Sequence, residues 1–375
     1  MNRVSSVVTI LIAVLIVDCG PTLKLHMQAE YSPYDVPMAG KIPSRQYSDT
    51  SSFTFPLQVA WQYDASAGFG NGSPIIIGNI LLIGTLQGEL HAVDITTGKR
   101  IKYIKIFSPI SASLAVSGRF LYFGTESNEE NLTAIATDNG DVQWTADIGG
   151  VAASLMVTDH GLYAGGLDGK FYCFHPAMGT QRWMVDTKAP IRSAPCAIDN
   201  AVYCANTDGV VFAFDQYSGK ELWKFSTGNA VFAGLTAADG KLFVGSRDSN
   251  LYILDAATGT LHRKISVGNK IMSAPSVINS SVYVSALDGT VSAYTVSDGT
   301  LQWKFQAKSA VNTTPVITPN ALFVVSLDEY VYALSPANGS VLWKYHLESR
   351  IKTTPLVWKN TLIIAAENKT ITCFR

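Results

Sequence analysis

The chain carries little charge and no excess of either sign. Only 15% of its 375 residues are charged, 28 basic against 29 acidic. That balance leaves no electrostatic footprint for nucleic acid, and 47% hydrophobic residues describe a protein with a substantial core. The five cysteines contain no CxxC, no CxxCH and no adjacent pair, so zinc, c-type haem and thioredoxin-like chemistry lack support. Neither GxxxxGKS/T nor GxGxxG occurs. The six histidines, His26, His91, His160, His175, His262 and His346, are scattered, and none groups with a Ser or Cys nucleophile. These gaps predict no catalytic, cofactor-binding or metal site.

The apolar run Val7 to Val17 is too short for a membrane span. Preceded by Arg3, it has the order of an export signal. It ends at Asp18-Cys19-Gly20, and a cysteine directly after such a run resembles the lipid acceptor of bacterial lipoproteins, although Asp18 departs from the usual small residue before it. Residues 1 to 19 are therefore read as an export signal with Cys19 as the lipidated residue. Residues 20 to 56, with Pro21, Pro33, Pro37, Pro43 and Pro56 and no sustained periodicity, are read as an extended tether.

What the chain does have is a repeat of about forty residues. A turn glycine recurs at Gly98, Gly140, Gly179, Gly219, Gly259, Gly299 and Gly339, with one long and one short step beside the second repeat. A small residue precedes it at Ala92, Ala134, Cys173, Ala213, Ala293, Ala333 and Cys373, with Ile253 the exception. An aromatic follows at Trp144, Trp183, Trp223, Trp303 and Trp343, with Tyr103 and Arg263 assigned to the two remaining places. Repeats start at Pro74, Leu114, Leu155, Pro195, Leu235, Pro275, Pro315 and Pro355, and each contains four short apolar segments punctuated by Gly, Asp and Asn. This predicts an all-β fold over residues 57 to 375: an eight-bladed β-propeller of four-stranded antiparallel blades. The last repeat reaches Phe374 after three strands, whereas VAWQYDA before the first repeat places an extra strand with Trp61 in the Trp column. That N-terminal strand is predicted to complete the C-terminal blade.

The recurrent Asp168, Asp208, Asp248, Asp288 and Asp328 sit at turns, often before Gly, and read as turn-forming residues rather than metal ligands. Cys196 and Cys204 flank a hairpin around Asp199-Asn200; a two-residue turn sets them out of opposition and a three-residue turn sets them face to face, which leaves a disulfide open. The connections that lead into each repeat carry Lys188, Arg192, Lys270, Lys308, Arg350 and Lys352, with Phe232 and Met272 among them. A basic rim with apolar spots suits a protein partner, and equally a solvated loop surface.

Stretches such as VFAFDQYSGKELWKF and LYILDAATGTLHRKI resemble the repeats named after pyrroloquinoline quinone enzymes. One branch of those proteins, the quinoprotein alcohol dehydrogenases, uses an adjacent Cys-Cys pair and long acidic insertions, both missing here. In size, repeat number and lipoprotein-like start the chain is similar to the BamB family of outer-membrane assembly lipoproteins. The resemblance implies a non-catalytic, lipid-anchored scaffold without cofactor on the periplasmic face of the outer membrane of a Gram-negative bacterium, and Gly20 is consistent with that sorting. The implied partner is a barrel-assembly subunit, met through a surface in which Arg192 matches the family's arginine loop; Phe232, Met272, Lys270 and Lys352 on neighbouring connections are added to it. The alternatives are a periplasmic ligand- or polymer-binding propeller and a quinone-dependent dehydrogenase relative.

Overall fold

The computed structural model describes Ser32 and residues 34–106, 108–127 and 129–375. The expected export signal and Cys19 lie outside these residues. Among the described residues, 32 strands form eight four-stranded antiparallel sheets arranged in a ring. The first sheet shows the plan: β2 (Ile75–Ile77) is innermost, followed outward by β3 (Ile80–Gly84), β4 (Glu89–Asp94) and β5 (Arg100–Lys105). The three inner strands of a blade are buried on both faces, because a neighbouring blade covers each one, and they read as short continuous apolar runs. Each outer strand keeps one face on the core and one in water, so Glu221–Ser226 alternates exposed positions with half-buried Trp223 and Phe225.

The eighth sheet closes the ring as the sequence predicts. Strand β1 (Val59–Asp64) pairs antiparallel with Thr370–Phe374, with Trp61 opposite Cys373. An outer edge that would otherwise stay open on that blade is thereby paired.

The columns of small residue, glycine and tryptophan are one device seen three times. Within a blade the small residue lies directly opposite the Trp, as in Ala213 and Trp223. The Trp ring then lies on the turn glycine of the next blade: an added Cβ would come within 2.6 Å of the Trp61 ring at Gly98, and within 2.7 Å of Trp183 at Gly219. Both glycines also have positive φ, 71° and 68°, so a side chain there is refused twice. Five of the rings are pinned by the indole N–H, which donates to a carbonyl of the next blade: Trp61 to Ile95 (2.9 Å), Trp144 to Pro176 (2.8 Å), Trp183 to Gln216 (3.0 Å), Trp223 to Ala256 (3.0 Å) and Trp303 to Pro336 (2.8 Å). Arg263 substitutes in kind, its Nη2 donating to Ser297 O at 2.9 Å. The first blade needs a correction. Ala92 lies opposite Lys102, so Lys102 holds the Trp position there, while Tyr103 lies opposite His91 and stacks on its ring.

The expected tether also needs a correction. From Val36 onward it is packed against the ring: Val36, Met38, Ala39, Arg45 and Phe53 are all buried. Val36 bridges to Ile76, Met38 to Ala115 and Ser48 to Ile317, all on innermost strands. The segment follows no periodic pattern because it forms no sheet or helix of its own. Its backbone partners are supplied by residues far away in sequence.

Trp61→Ala removes a half-buried ring and its hydrogen bond at the seam where β1 joins the last blade. Whole-protein stability is expected to fall by roughly 2–3 kcal/mol in denaturant unfolding, against a change within about 0.5 kcal/mol for exposed Leu222→Ala. Equal stabilities of the two variants would contradict closure through Trp61.

Candidate functional site

The ring presents two unlike faces. One carries the turns between first and second strands and between third and fourth, here the hairpin face. The other, the connection face, carries the links between blades together with the second-to-third-strand turns. On the connection face the channel pinches at Gly72, Ala112, Ala153, Ser193, Ala233, Ser273, Thr313 and Thr353, where small residues are required: a Cβ on Gly72 would lie 2.4 Å from the Ala112 carbonyl carbon. Hydrogen bonds run around this pinch between equivalent positions, from Ser73 N to Ser113 Oγ (2.8 Å), Ala274 N to Thr314 Oγ1 (3.2 Å) and Thr314 N to Thr354 Oγ1 (3.3 Å).

The residues just before the pinch positions form the mouth, and four predicted partner-binding residues stand there on consecutive connections or across from them: Arg192, Phe232, Met272 and Lys352. Arg192 is exposed, Phe232, Met272 and Lys352 are half-buried, and Lys270, two residues before Met272, is exposed further out. Each connection is buttressed by the neighbouring turn, as Leu287 N bonds Lys270 O at 3.0 Å and Arg247 N bonds Ala230 O at 3.0 Å. That second row of loops supplies residues that reading the connections alone missed. The Arg247 guanidinium lies 5.0 Å from the Phe232 ring centre, a cation–π contact that gives this apolar spot a charged edge.

The rim is less basic than its sequence suggests. Lys188 pairs with Asp186 at 2.7 Å, and Lys352 is ion-paired with Glu367. Among the described residues Arg192, Lys270 and Lys308 make no ion pair. Two polar atoms at the mouth, Asn312 Oδ1 and Arg247 Nε, are buried without a hydrogen-bond partner, an arrangement that costs free energy.

The turn aspartates act locally. Asp168, Asp248, Asp288 and Asp328 accept from backbone amides two residues on, at 3.0–3.1 Å, and three of them also bind a tyrosine hydroxyl of the following strand (Tyr172 2.6 Å, Tyr252 2.5 Å, Tyr332 2.8 Å). Among the described residues no group of three His, Cys, Asp or Glu could hold a metal. The hairpin around Asp199-Asn200 has a two-residue turn, since Ile198 pairs with Ala201 and Cys196 faces Tyr203 rather than Cys204. Both cysteines are free and buried. Burial pushes all four described thiols up, Cys173 to about 12 and Cys373 to about 11, which suits packing and not nucleophilic chemistry.

A cluster of titratable groups around buried His91 lies at the closure seam. His91, 1% exposed, binds Tyr63 Oη through Nδ1 (2.7 Å) and Glu89 through Nε2 (3.1 Å), and Ser66 donates to the same carboxylate. Burial lowers the His91 pKa, with the Glu89 hydrogen bond partly offsetting it; nearby Arg100 lowers it further. For Glu89 burial raises the pKa, but hydrogen bonds from Ser66 and His91 and the nearby Lys105 outweigh it and the net shift is downward. Burial raises Tyr63.

The fold defines a single-ring, eight-bladed propeller of Trp–Gly repeats whose connection face presents a loop-built mouth. The chain belongs to the family described as outer membrane protein assembly factor BamB, whose model matches residues 58–159, 128–228 and 207–375. Among solved structures it is similar to BamB from Moraxella catarrhalis, with a TM-score of 0.75 at 17% identity, covering 85% of this chain and 100% of that one. It is also similar to the quinohemoprotein alcohol dehydrogenase ADHIIG of Pseudomonas putida HK5, with a TM-score of 0.78 at 13% identity over 92% of this chain and 80% of that one. A europium-containing methanol dehydrogenase gives 0.78 at 14% identity, with 90% of each chain covered. At such identities these likenesses show the fold alone. Among curated protein sequences none matches.

The His91 cluster makes closure sensitive to acid. A folded-state pKa below 6.5 means that the unfolded chain takes up a proton near 6.5 which the folded chain refuses. The contribution is therefore fully present above 6.5 and is lost as pH falls below it. The thermal midpoint is expected to decline from pH 7 to 5.5, with a shallower decline in His91→Gln. Identical slopes would contradict the assignment.

Proposed function

We propose that this protein is a non-catalytic, lipid-anchored scaffold in outer-membrane β-barrel assembly, attached through Cys19 to the periplasmic face of the outer membrane. The observation that carries this reading is the family match, which spans the ring from residue 58 to residue 375. The mouth supports it. A half-buried Phe232 and Met272, uncompensated Arg192 and Lys270, and two unpartnered buried polar atoms make a patch of the kind that a protein partner with carboxylates and apolar side chains completes. Lys352 contributes through its contact with Glu367 more than as a free charge.

The route of the chain leaves the mouth accessible. Tyr34 and Asp35 sit on the hairpin face, where Lys359 Nζ lies 5.3 Å from the Tyr34 ring centre and Gly78 N donates to Asp35 at 2.9 Å. From Cys19 to Ser32 the chain can span at most about 45 Å. The chain therefore enters the ring from its hairpin face and leaves the connection face clear of the anchor segment.

The likeness to quinohemoprotein alcohol dehydrogenases carries a second reading, a quinone-dependent relative. Affinity purification from envelope extract separates the two. Barrel-assembly subunits are expected to co-purify with the wild-type chain and to drop at least ten-fold with Arg192→Glu combined with Phe232→Ala. Alcohol-dependent dye reduction after addition of quinone and calcium, with no such subunits retained, would overturn the scaffold reading.

A further inference from the structure

Residues 35–51 run through the channel and reach all eight blades, seven through backbone or Ser51 contacts and the third through a side chain. Val36 exchanges backbone hydrogen bonds with Ile76 (2.7 and 2.9 Å) on the first blade, and Pro37 O accepts from Val116 N (2.9 Å) on the second. Pro43 O accepts from Ala197 N (2.9 Å), Ser44 O from Ala237 N (2.8 Å), Gln46 O from Val277 N (3.2 Å) and Tyr47 O from Ile317 N (3.0 Å), which are the fourth to seventh blades. Asn360 N on the eighth meets Ser51 Oγ at 3.3 Å. Innermost strands of a ring have no partner on their channel side. Their amides form a circle of donors that an extended chain can satisfy, the logic of strand addition applied around an axis.

The third blade is reached by a side chain. Arg45 is fully buried, and its guanidinium faces carbonyls instead of a carboxylate: Nε donates to Pro195 O (2.5 Å), Nη1 to Ala39 O (2.7 Å), and Nη2 to Leu155 O (2.8 Å) and Ser154 O (3.3 Å). A buried cation is tolerated only when its donors are matched, and a planar five-donor fork matches this cage where an ammonium does not. The path is curved enough to need positive φ at Gly40, Lys41, Arg45 and Tyr47 (78°, 69°, 53° and 53°). At Gly40 a Cβ would lie 2.8 Å from Arg45 Cα, so the turn and the cage are built together. Beside Ala39–Lys41 and Tyr47–Asp49 the remaining gap against the first, seventh and eighth blades is about 40 Å³, room for a water or two. The family match begins only at residue 58, beyond this segment.

We propose that the channel is a binding site for an extended peptide carrying an arginine, that the carbonyl cage of Ser154, Leu155 and Pro195 is its recognition element, and that residues 35–49 are its resident, exchangeable occupant. The geometry gives the site a prerequisite: the inward amides of six blades, the carbonyls of the third and the Asn360 amide of the eighth converge only when the ring is closed. Occupation therefore reports and reinforces closure. The Phe53 and Leu57 side chains, packed among Val316, Phe323 and Trp343, anchor the chain independently of the channel.

The test uses the full chain with a protease recognition sequence inserted after exposed Thr50, cut only after folding. The severed segment is expected to stay with the ring through gel filtration and to exchange with a labelled synthetic peptide of residues 34–50. Peptides carrying Arg45→Ala or Arg45→Lys should bind at least ten-fold more weakly. Absence of saturable exchange, or an Arg45→Ala peptide that binds as well as the native one, overturns the proposal. Should the insertion prevent folding, hydrogen exchange on the uncut wild-type chain decides. The amides of Ala197, Ala237, Val277 and Ile317 should exchange slowly, and at least ten-fold faster in full-length Arg45→Ala. Exchange at open-loop rates in the wild type overturns it.

Discussion

The structure depends on a ring lying flat on a glycine. At five of the eight interfaces a blade offers the next a tryptophan face, and the next blade offers a turn with no side chain in the way and a carbonyl for the indole N–H to bind. The contact is worth more than its area because the hydrogen bond fixes the ring's orientation, so neighbouring sheets meet at a set angle. Repeated around the axis, that angle brings the last blade back to the first. Trp61, supplied from the start of the chain to the last blade, makes the same contact with Gly98 of the first. The seam is chemically one more interface of the series, and this is why the ring can close.

Closure creates two further features. The connection face acquires a mouth that surrounds the pinch of small residues and carries Phe232, Met272, Arg247 and Arg192. On the hairpin side, the inward amides converge on a channel that residues 35–49 fill. The faces thus differ: one side holds the chain's own segment, and the other carries the mouth.

The fold was legible because its constraint is periodic. Gly219 and Trp223 must recur every forty residues if every interface is the same, and the unpaired last repeat pointed to Trp61. Legibility failed where periodicity did. The Trp position of the first blade falls on Lys102, one residue before the aromatic that drew the eye, because a lysine can occupy the place but does not advertise it. Residues 36–56 read as free chain, since carbonyls of Pro43 or Gln46 leave no trace in sequence and Arg45 binds backbone more than a hundred residues away. The rim read as basic because Glu367, which pairs with Lys352, lies on a different loop row, and the register that places Cys196 opposite Tyr203 needed the turn length.

The central claim is that the two ends of the chain form one blade as secure as the others. Native-state hydrogen exchange across the β1 pairing tests it most directly, at the amides between Trp61–Asp64 and Thr370–Cys373. The account predicts protection there equal to that of the fourth and fifth blades, lost only with global unfolding. Exchange through a local opening, with protection well below that of Val211–Phe214, would contradict a closed ring.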